Sequence, residues 1–412
     1  MRASLSHTAA GLALFAFANA QSLSEELSSA IADYSTLSLF RSLLDAAPEA
    51  LKQSFSEKST DITVLIPTDD AINTYLSDSG ASDISDLNED DMETFFSYHI
   101  MVSSLKASDF EEPQGMTIPT LLKKVEFNNR SAGADLTTQF GKDAGGQVLF
   151  ASPPSASGKK VKRAGEFSGP NVNLRAGLAQ DVKMTAVDGS WGPKKANTYQ
   201  IVDSVLLPPR KCSTTVRSIK DTRLSALDTA LNKTQLWPAL DHSPNVTCLA
   251  PSTQGFKNAG DPQINMDTGD LRQALLAHTL TQVTYTDHLT DGMVLGTLND
   301  TTVRVSIKKN EIYFNNAKVV KANVLTNNGL IHILDSVIEP SDEPSTTANS
   351  KAPSDTSTET SASETSGTSS PQATDAASTL SMAYPGVFAL IAWSFYDLIA
   401  LIVSRGAMPH DQ

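Results

Sequence analysis

The sequence predicts an α+β fold, built twice in one chain. Two observations carry this. "NGLIHILDSVIEP" (residues 328–340) echoes "NTYQIVDSVLLPP" (residues 197–209), with Asp335-Ser336-Val337 in register with Asp203-Ser204-Val205. Ahead of the second closing segment the apolar spacing changes from helical to alternating, so each unit reads as helices first and a meander of strands last, not as a parallel sheet with alternating helices.

The repeat extends upstream. "TDITVLIPTDDAINTYL" (residues 60–76) and "NVTCLAPSTQGFKNA" (residues 245–259) are each a β-rich run into a proline, Pro67 or Pro251, followed by a polar helix start. Further on, each unit has a helix ending in histidine, at Tyr98-His99 and at Ala277-His278. The same order of strand, helix, histidine and closing strand occurs twice, which marks a tandem domain.

Taken in order, residues 1–20 carry Arg2 and the apolar run "AAGLALFAFANA". Ala18 and Ala20 fit the small-residue cleavage rule, so a signal peptide is expected to end after Ala20, and the mature chain then enters an oxidising compartment. Ser22-Leu23-Ser24-Glu25 forms a capping box for a helix through Ile31. Leu37, Phe40 and Leu44 sit at helical spacing, and Pro48 marks the stop. Asp91 is expected to start the helix that ends at Tyr98-His99.

In the second unit Leu224, Leu227 and Leu231 line one helix face, and Thr268 is the expected cap of the helix through Leu271, Leu275 and His278. "TVRVSI", "EIYF" and "KVVKANVL" read as strands, with "KKN" turning between the first two. "LIHILDSV" is apolar on both faces, as a central strand is. Asp203 and Asp335 are expected to tie a turn rather than do chemistry. His99 and Asp203 lie much further apart than His278 and Asp335, so the first unit carries an insertion. It is placed around residues 130–178, where Gly, Ser, Pro and Lys dominate, as a surface loop.

Beyond Pro340 the composition shifts. Residues 341–381 are about half Ser and Thr without aromatics, the composition of an extended, O-glycosylated stalk. The apolar "YPGVFALIAWSFYDLIALIV" (residues 384–403) follows, about long enough to cross a bilayer. A stalk, small residues at Asp375-Ala376-Ala377 and an apolar tail are the layout of a GPI attachment signal, with Asp375 the candidate site. Asp397 interrupts the run and "SRGAMPHDQ" continues past it, so a single-pass anchor with Arg405 on the cytoplasmic side stays open. The expected division is a signal peptide (1–20), a first unit (21–209, insertion about 130–178), a second unit (210–340), the stalk (341–381), and a GPI signal or membrane anchor (382–412).

These residues resemble fasciclin domains. "TVLIPTDDAI" is similar to the family's first short motif, the Tyr98-His99 pair to its central motif, and "NGLIHILDSVIEP" to its terminal motif. The resemblance spans roughly residues 22–340. Departures are "PSTQGF" in the second unit, Ala277 in place of the aromatic, and Gln200 where the second copy has His332. The resemblance implies two tandem fasciclin-like domains, each a β-wedge or sandwich with packed helices. It further implies a secreted or surface-tethered adhesion protein like fungal cell-surface members, with no common cofactor and no catalytic centre. Expected partners are matrix, cell-wall glycans or surface proteins. His332, His99 and His278 read first as buried hydrogen bonders. The role left beside that for Tyr98, His99 and His278 is partner contact.

The 32 basic and 46 acidic residues, net charge −14, argue against nucleic acid as a partner. Asp267-Thr268-Gly269 is the tripeptide of an aspartic protease, but that chemistry needs a second copy, and the sequence has none. His278 and His288 lack carboxylate companions at metal-ligand spacing. No nucleophile elbow, phosphate loop or dinucleotide fingerprint occurs. The rival readings are a secreted polysaccharide-acting enzyme with carboxylates outside known motifs, and a vacuolar membrane protein. Sequons at Asn129, Asn232, Asn245 and Asn299 are expected to carry N-glycan. Lys162-Arg163 is a dibasic pair open to a processing protease. Cys212 and Cys248 are the only cysteines, and an oxidising lumen predicts a disulfide between them.

Overall fold

The structure, a computed structural model, describes residues 25–48, 61–153, 167–219 and 223–339. The expected signal peptide, Lys162-Arg163, the expected stalk, Asp375 and the C-terminal segment lie outside these residues. The described residues form one compact unit that holds both repeats.

The first repeat contributes β1 (Thr63–Pro67), β2 (Ile100–Met101), β3 (Met116–Pro119), β4 (Val148–Ser152), β5 (Asn171–Arg175), β6 (Asp181–Trp191) and β7 (Asn197–Val202). The second contributes β8 (Val246–Pro251), β9 (Thr279–Leu280), β10 (Val294–Gly296), β11 (Thr302–Lys308), β12 (Glu311–Phe314), β13 (Ala317–Thr326) and β14 (Gly329–Leu334). Each set forms a seven-stranded sheet, ordered β2-β1-β7-β6-β5-β4-β3 and β9-β8-β14-β13-β12-β11-β10. The two orders superimpose strand for strand. Only the β1·β7 and β8·β14 pairs are parallel. The closing strand of each repeat is therefore central, as its two apolar faces require.

Helices cover one face of each sheet. In β1, Val64 and Ile66 join Ile31, Leu37, Phe40 and Phe96 in one core. Leu65 faces the other way, with Tyr98, Ile118, Leu149 and Met184. In β14, Ile331 and Ile333 pack with Leu224, Leu227 and Leu231, while Leu334 turns toward Val305 and Phe314. Alternation thus splits one strand between two cores.

The helix starts differ by a residue or more from the expected ones. The helix Glu89–Tyr98 is capped by Asn88, whose side chain accepts from the Asp91 amide at 2.9 Å, and Asp91 reaches back to the Asn88 amide. Asp91 is thus the third residue of a capping box, not its start. The helix Thr268–Ala277 is capped by Asp267, which accepts from the Gly269 amide at 2.7 Å. The Asp-Thr-Gly tripeptide is that cap.

The insertion is also corrected. It is not one loop around 130–178. The β3–β4 connection spans 120–147, against 297–301 for β10–β11, and β4–β5 spans 153–170, against 309–310 for β11–β12. Two hairpins are lengthened, and β4 and β5 lie inside the supposed loop as ordinary strands. The shorter β11–β12 turn works because Lys309 and Asn310 both take positive φ, 51° and 65°, which matches the twist of a two-residue hairpin.

The expected disulfide is a further correction. Cys212 and Cys248 are free, buried thiols. Both belong to the apolar core beneath the second sheet. Cys212 opens the helix Cys212–Ser218 and Cys248 sits inside β8, so each fills space as a small hydrophobe. Burial pushes the Cys248 thiol up to about 12 and Cys212 upward as well. Native protein is expected to resist a thiol-specific reagent at neutral pH and to label at both cysteines once unfolded without reductant. Absence of label after unfolding would show a bonded pair.

Candidate functional site

The motif residues build two sets of matched polar ties. His99 ends its helix with Nδ1 2.7 Å from the Phe95 carbonyl, and its Nε2 accepts from the Leu206 amide at 3.0 Å. His278 does the same, with Nδ1 2.7 Å from the Ala274 carbonyl and Nε2 accepting from the Ile338 amide at 2.9 Å. A carbonyl can only accept, so Nδ1 carries the proton in both. Each imidazole pins the segment just after its closing strand to the preceding helix. Burial holds His99 down at about 4 and lowers His278.

Tyr98 and His99 are 0% exposed and His278 is 6% exposed. Tyr98 donates its hydroxyl to the Val148 carbonyl at 3.1 Å. These side chains point inward and hold backbone. His288 does not join His278. It lies 3.6 Å from Asp135 and 3.7 Å from Asp287.

The aspartates of the repeated motif act alike. Asp203 accepts from the Lys183 amide at 3.0 Å, and Asp335 from the Lys318 amide at 2.9 Å. Each carboxylate extends the ladder to the neighbouring strand by one bond, while Ser204 and Ser336 donate to it.

A third tie resolves the difference between Gln200 and His332. In the first repeat the Gln200 amide donates to the Leu105 carbonyl at 3.0 Å and accepts from the Asp188 amide at 2.9 Å. Asp188 then accepts from the Ala107 amide at 2.8 Å. In the second, His332 Nε2 lies 2.9 Å from the Thr284 carbonyl, and Nδ1 accepts from the Asn323 amide at 3.3 Å. Asn323 accepts from the Thr286 amide at 3.2 Å. Asp188 and Asn323 occupy strand bulges at φ 51° and 52°, a conformation Asp and Asn tolerate best. Glutamine and histidine therefore serve one role. Sequence reading missed Asp188 and Asn323. A positive-φ residue at a bulge looks like any strand polar residue until the register is known.

His332→Gln is expected to cost under about 1.5 kcal/mol, because glutamine supplies the same donor and acceptor. His332→Leu strands the Asn323 amide and the Thr284 carbonyl, at roughly 1–3 kcal/mol for each buried group. Urea unfolding of both variants checks this. A glutamine variant as unstable as the leucine one would refute the shared role.

The two repeats meet along a seam made by the lengthened β3–β4 connection and the β13–β14 hairpin. Leu136, Ala144 and Val148 pack with Tyr285, Leu325 and Leu330. The Asn129 amide donates to the Asn327 carbonyl at 2.6 Å. Gln147 donates to the Phe127 carbonyl at 2.5 Å and the Thr326 carbonyl at 3.3 Å. Asp287 accepts from the Thr117 amide at 2.6 Å and its hydroxyl at 2.8 Å, and burial raises its carboxyl. Lys321 reaches Asp181 at 3.1 Å, and Arg210 pairs with Glu126. The first lengthened hairpin is thus a docking element, not a surface loop.

Of the sequon asparagines, Asn232 is exposed, while Asn129, Asn245 and Asn299 are half-buried. Two of the sequons meet at the seam, where Asn245 accepts from the amide (2.7 Å) and hydroxyl (2.9 Å) of Ser131, the serine of the Asn129 sequon. Among the described residues no group of three or more His, Cys, Asp or Glu is placed to hold a metal. Among the described residues no helix is long and apolar enough to cross a membrane.

Two copies of one seven-stranded α+β wedge, each closed by the same histidine and aspartate ties, define a tandem-repeat protein. Its repeats match the family model described as Fasciclin domain, over residues 35–144 and 222–340. The chain belongs to the fasciclin-domain family. A fasciclin-like arabinogalactan protein of Arthroderma benhamiae is 25% identical over 328 residues, covering 79% of this chain and 68% of that protein. Periostin of Homo sapiens is 28% identical over 121 residues, covering 28% of this chain and 14% of periostin. Transforming growth factor-beta-induced protein ig-h3 of Sus scrofa is 27% identical over 144 residues, 34% of this chain and 21% of that one. The chain spans less than a quarter of the length of these last two. A solved FAS1 domain pair from the insect cell adhesion molecule fasciclin I covers 74% of this chain and 97% of its own, at 15% identity and a TM-score of 0.33.

Proposed function

We propose that the protein is a surface-displayed adhesive or structural module that binds matrix, cell-wall glycan or other surface proteins. The observation that carries this reading is the use of the motif side chains. His99, His278, Gln200, His332, Asp203 and Asp335 are all engaged in holding their own backbone. What each repeat offers a partner is its outer surface. The relative named a fasciclin-like arabinogalactan protein supports the same reading. On it, cleavage after Ala20 delivers the chain to the lumen, the four sequons carry N-glycan, and the segment beyond residue 340 tethers the repeats to a membrane.

The test is an array of cell-wall glycans and matrix proteins probed with the secreted segment 21–340. Saturable binding to at least one of them is expected. Hydrolysis of a polysaccharide on the array, without retained binding, would overturn the reading in favour of an enzyme.

A further inference from the structure

A cleft of about 340 Å³ opens on the seam, in the volume range of small-ligand sites. Its lining includes Val125 and Asn129 from the first repeat, Arg210 and Lys211 from the link, and Asp241 and His242 from the second. Val125 is 73% exposed, an apolar side chain left bare at the rim. Asn129 is the acceptor of the sequon Asn129-Arg130-Ser131, and its side-chain nitrogen lies 3.5 Å from the His242 carbonyl across the cleft.

The walls are held in place. Arg210 pairs with Glu126 and its guanidinium lies 4.6 Å from the centre of the Phe127 ring. Asp241 accepts from the Ser213 amide at 2.9 Å and hydroxyl at 2.6 Å. Fixed charged groups beside one apolar side chain suit a pyranose, which has hydroxyls at its edge and C–H groups on its face. An N-glycosyl bond replaces one hydrogen of the Asn129 amide and keeps the other, so the contact with His242 survives modification. Asn129 also enters the secretory lumen before any residue of the second repeat, so its sugar is in place when the seam closes.

We propose that this cleft seats the inner sugars of the glycan on Asn129, so that a carbohydrate attached to the first repeat straps it to the second. The proposal rests on the N-glycosylation reading given above. The test uses full-length protein expressed through the secretory pathway of a yeast host and purified, with site occupancy read first by mass spectrometry. An unmodified Asn129 overturns the glycosylation of this site and the strap with it. With Asn129 occupied, native protein is treated with an endoglycosidase that cuts between the two core sugars. Release from Asn129 is expected to be at least about tenfold slower than from Asn232 or Asn299, and the difference should vanish on denaturation. Equal native rates would overturn the strap and leave the glycosylation intact.

Val125→Ser supplies a second measurement, since an exposed residue can change without unfolding the chain. It should speed release from Asn129 and lower the melting temperature of the glycosylated protein. In the Asn129→Gln background the same change should leave the melting temperature unaltered. An equal effect in both backgrounds would show that Val125 contacts no sugar.

Discussion

Between pH 6.5 and pH 4 the protein is expected to lose about 5–7 kcal/mol of folding stability, a large part of the roughly 5–15 kcal/mol a domain normally has. The cause is a pair of histidines. His99 and His332 are fully buried, and burial holds each near 4 against an ordinary value of 6.5. The unfolded chain takes up their protons below about pH 6.5, while the folded chain does so only near pH 4. Across that window the unfolded state binds more protons, so stability is full above it and falls as the pH falls. Each shift converts to about 3 kcal/mol. His278 adds in the same direction. Protonation also places a proton where the Leu206 or Asn323 amide now donates. Urea midpoints at pH 7, 5.5 and 4.5 check this, with His332→Gln expected to reduce the loss. Stability that stays level across these pH values would contradict the buried, neutral imidazoles.

Gln147→Leu is expected to uncouple the repeats. Gln147 is almost fully buried. It donates to Phe127 and Thr326 and accepts from Arg130 at 3.3 Å and the Val148 amide at 2.8 Å. Leucine fills similar space and satisfies none of these groups. At roughly 1–3 kcal/mol per stranded group, part of it relieved by water, the loss should total about 3–5 kcal/mol. The guanidinium of Arg130, held otherwise by the Gly146 and Ser131 carbonyls, loses its side-chain partner. Calorimetry should show one transition for the parent chain and two for the variant. A single transition in the variant, at an unchanged temperature, would mean the seam does not depend on this residue.

Much of the fold was readable because it rests on local chemistry. The apolar period of "LIHILDSV" located a central strand, and the repeated Asp-Ser-Val located its end. The histidine motifs could be assigned to buried hydrogen bonding from their apolar neighbours. The through-space features could not be read. Asp188 and Asn323 matter because a strand bulge turns them toward a distant loop, and register is not written in composition. Residues 130–147, the first part of the stretch expected to be a surface loop, looked like one because their partner, the β13–β14 hairpin, lies in the other repeat. Cys212 and Cys248 were paired by compartment and count, whereas packing uses them as apolar filler. The cap shifts reflect nearby residues that are also able to cap, Asn88 three positions before Asp91 and Asp267 next to Thr268.

Strand β14 has a mechanical consequence. It lies between β8, parallel to it over six residue pairs, and β13. The chain leaves β14 toward its C-terminus. Tension applied from that side therefore pulls the strand along its own length, and the hydrogen bonds to both neighbours bear the load together. A strand at a sheet edge, pulled sideways, would give up its bonds one at a time. The His278–Ile338 bond sits just beyond the strand, where it takes the first increment of force. Placing the closing strand in the centre thus makes each repeat a link that is loaded in shear when pulled from its C-terminal end.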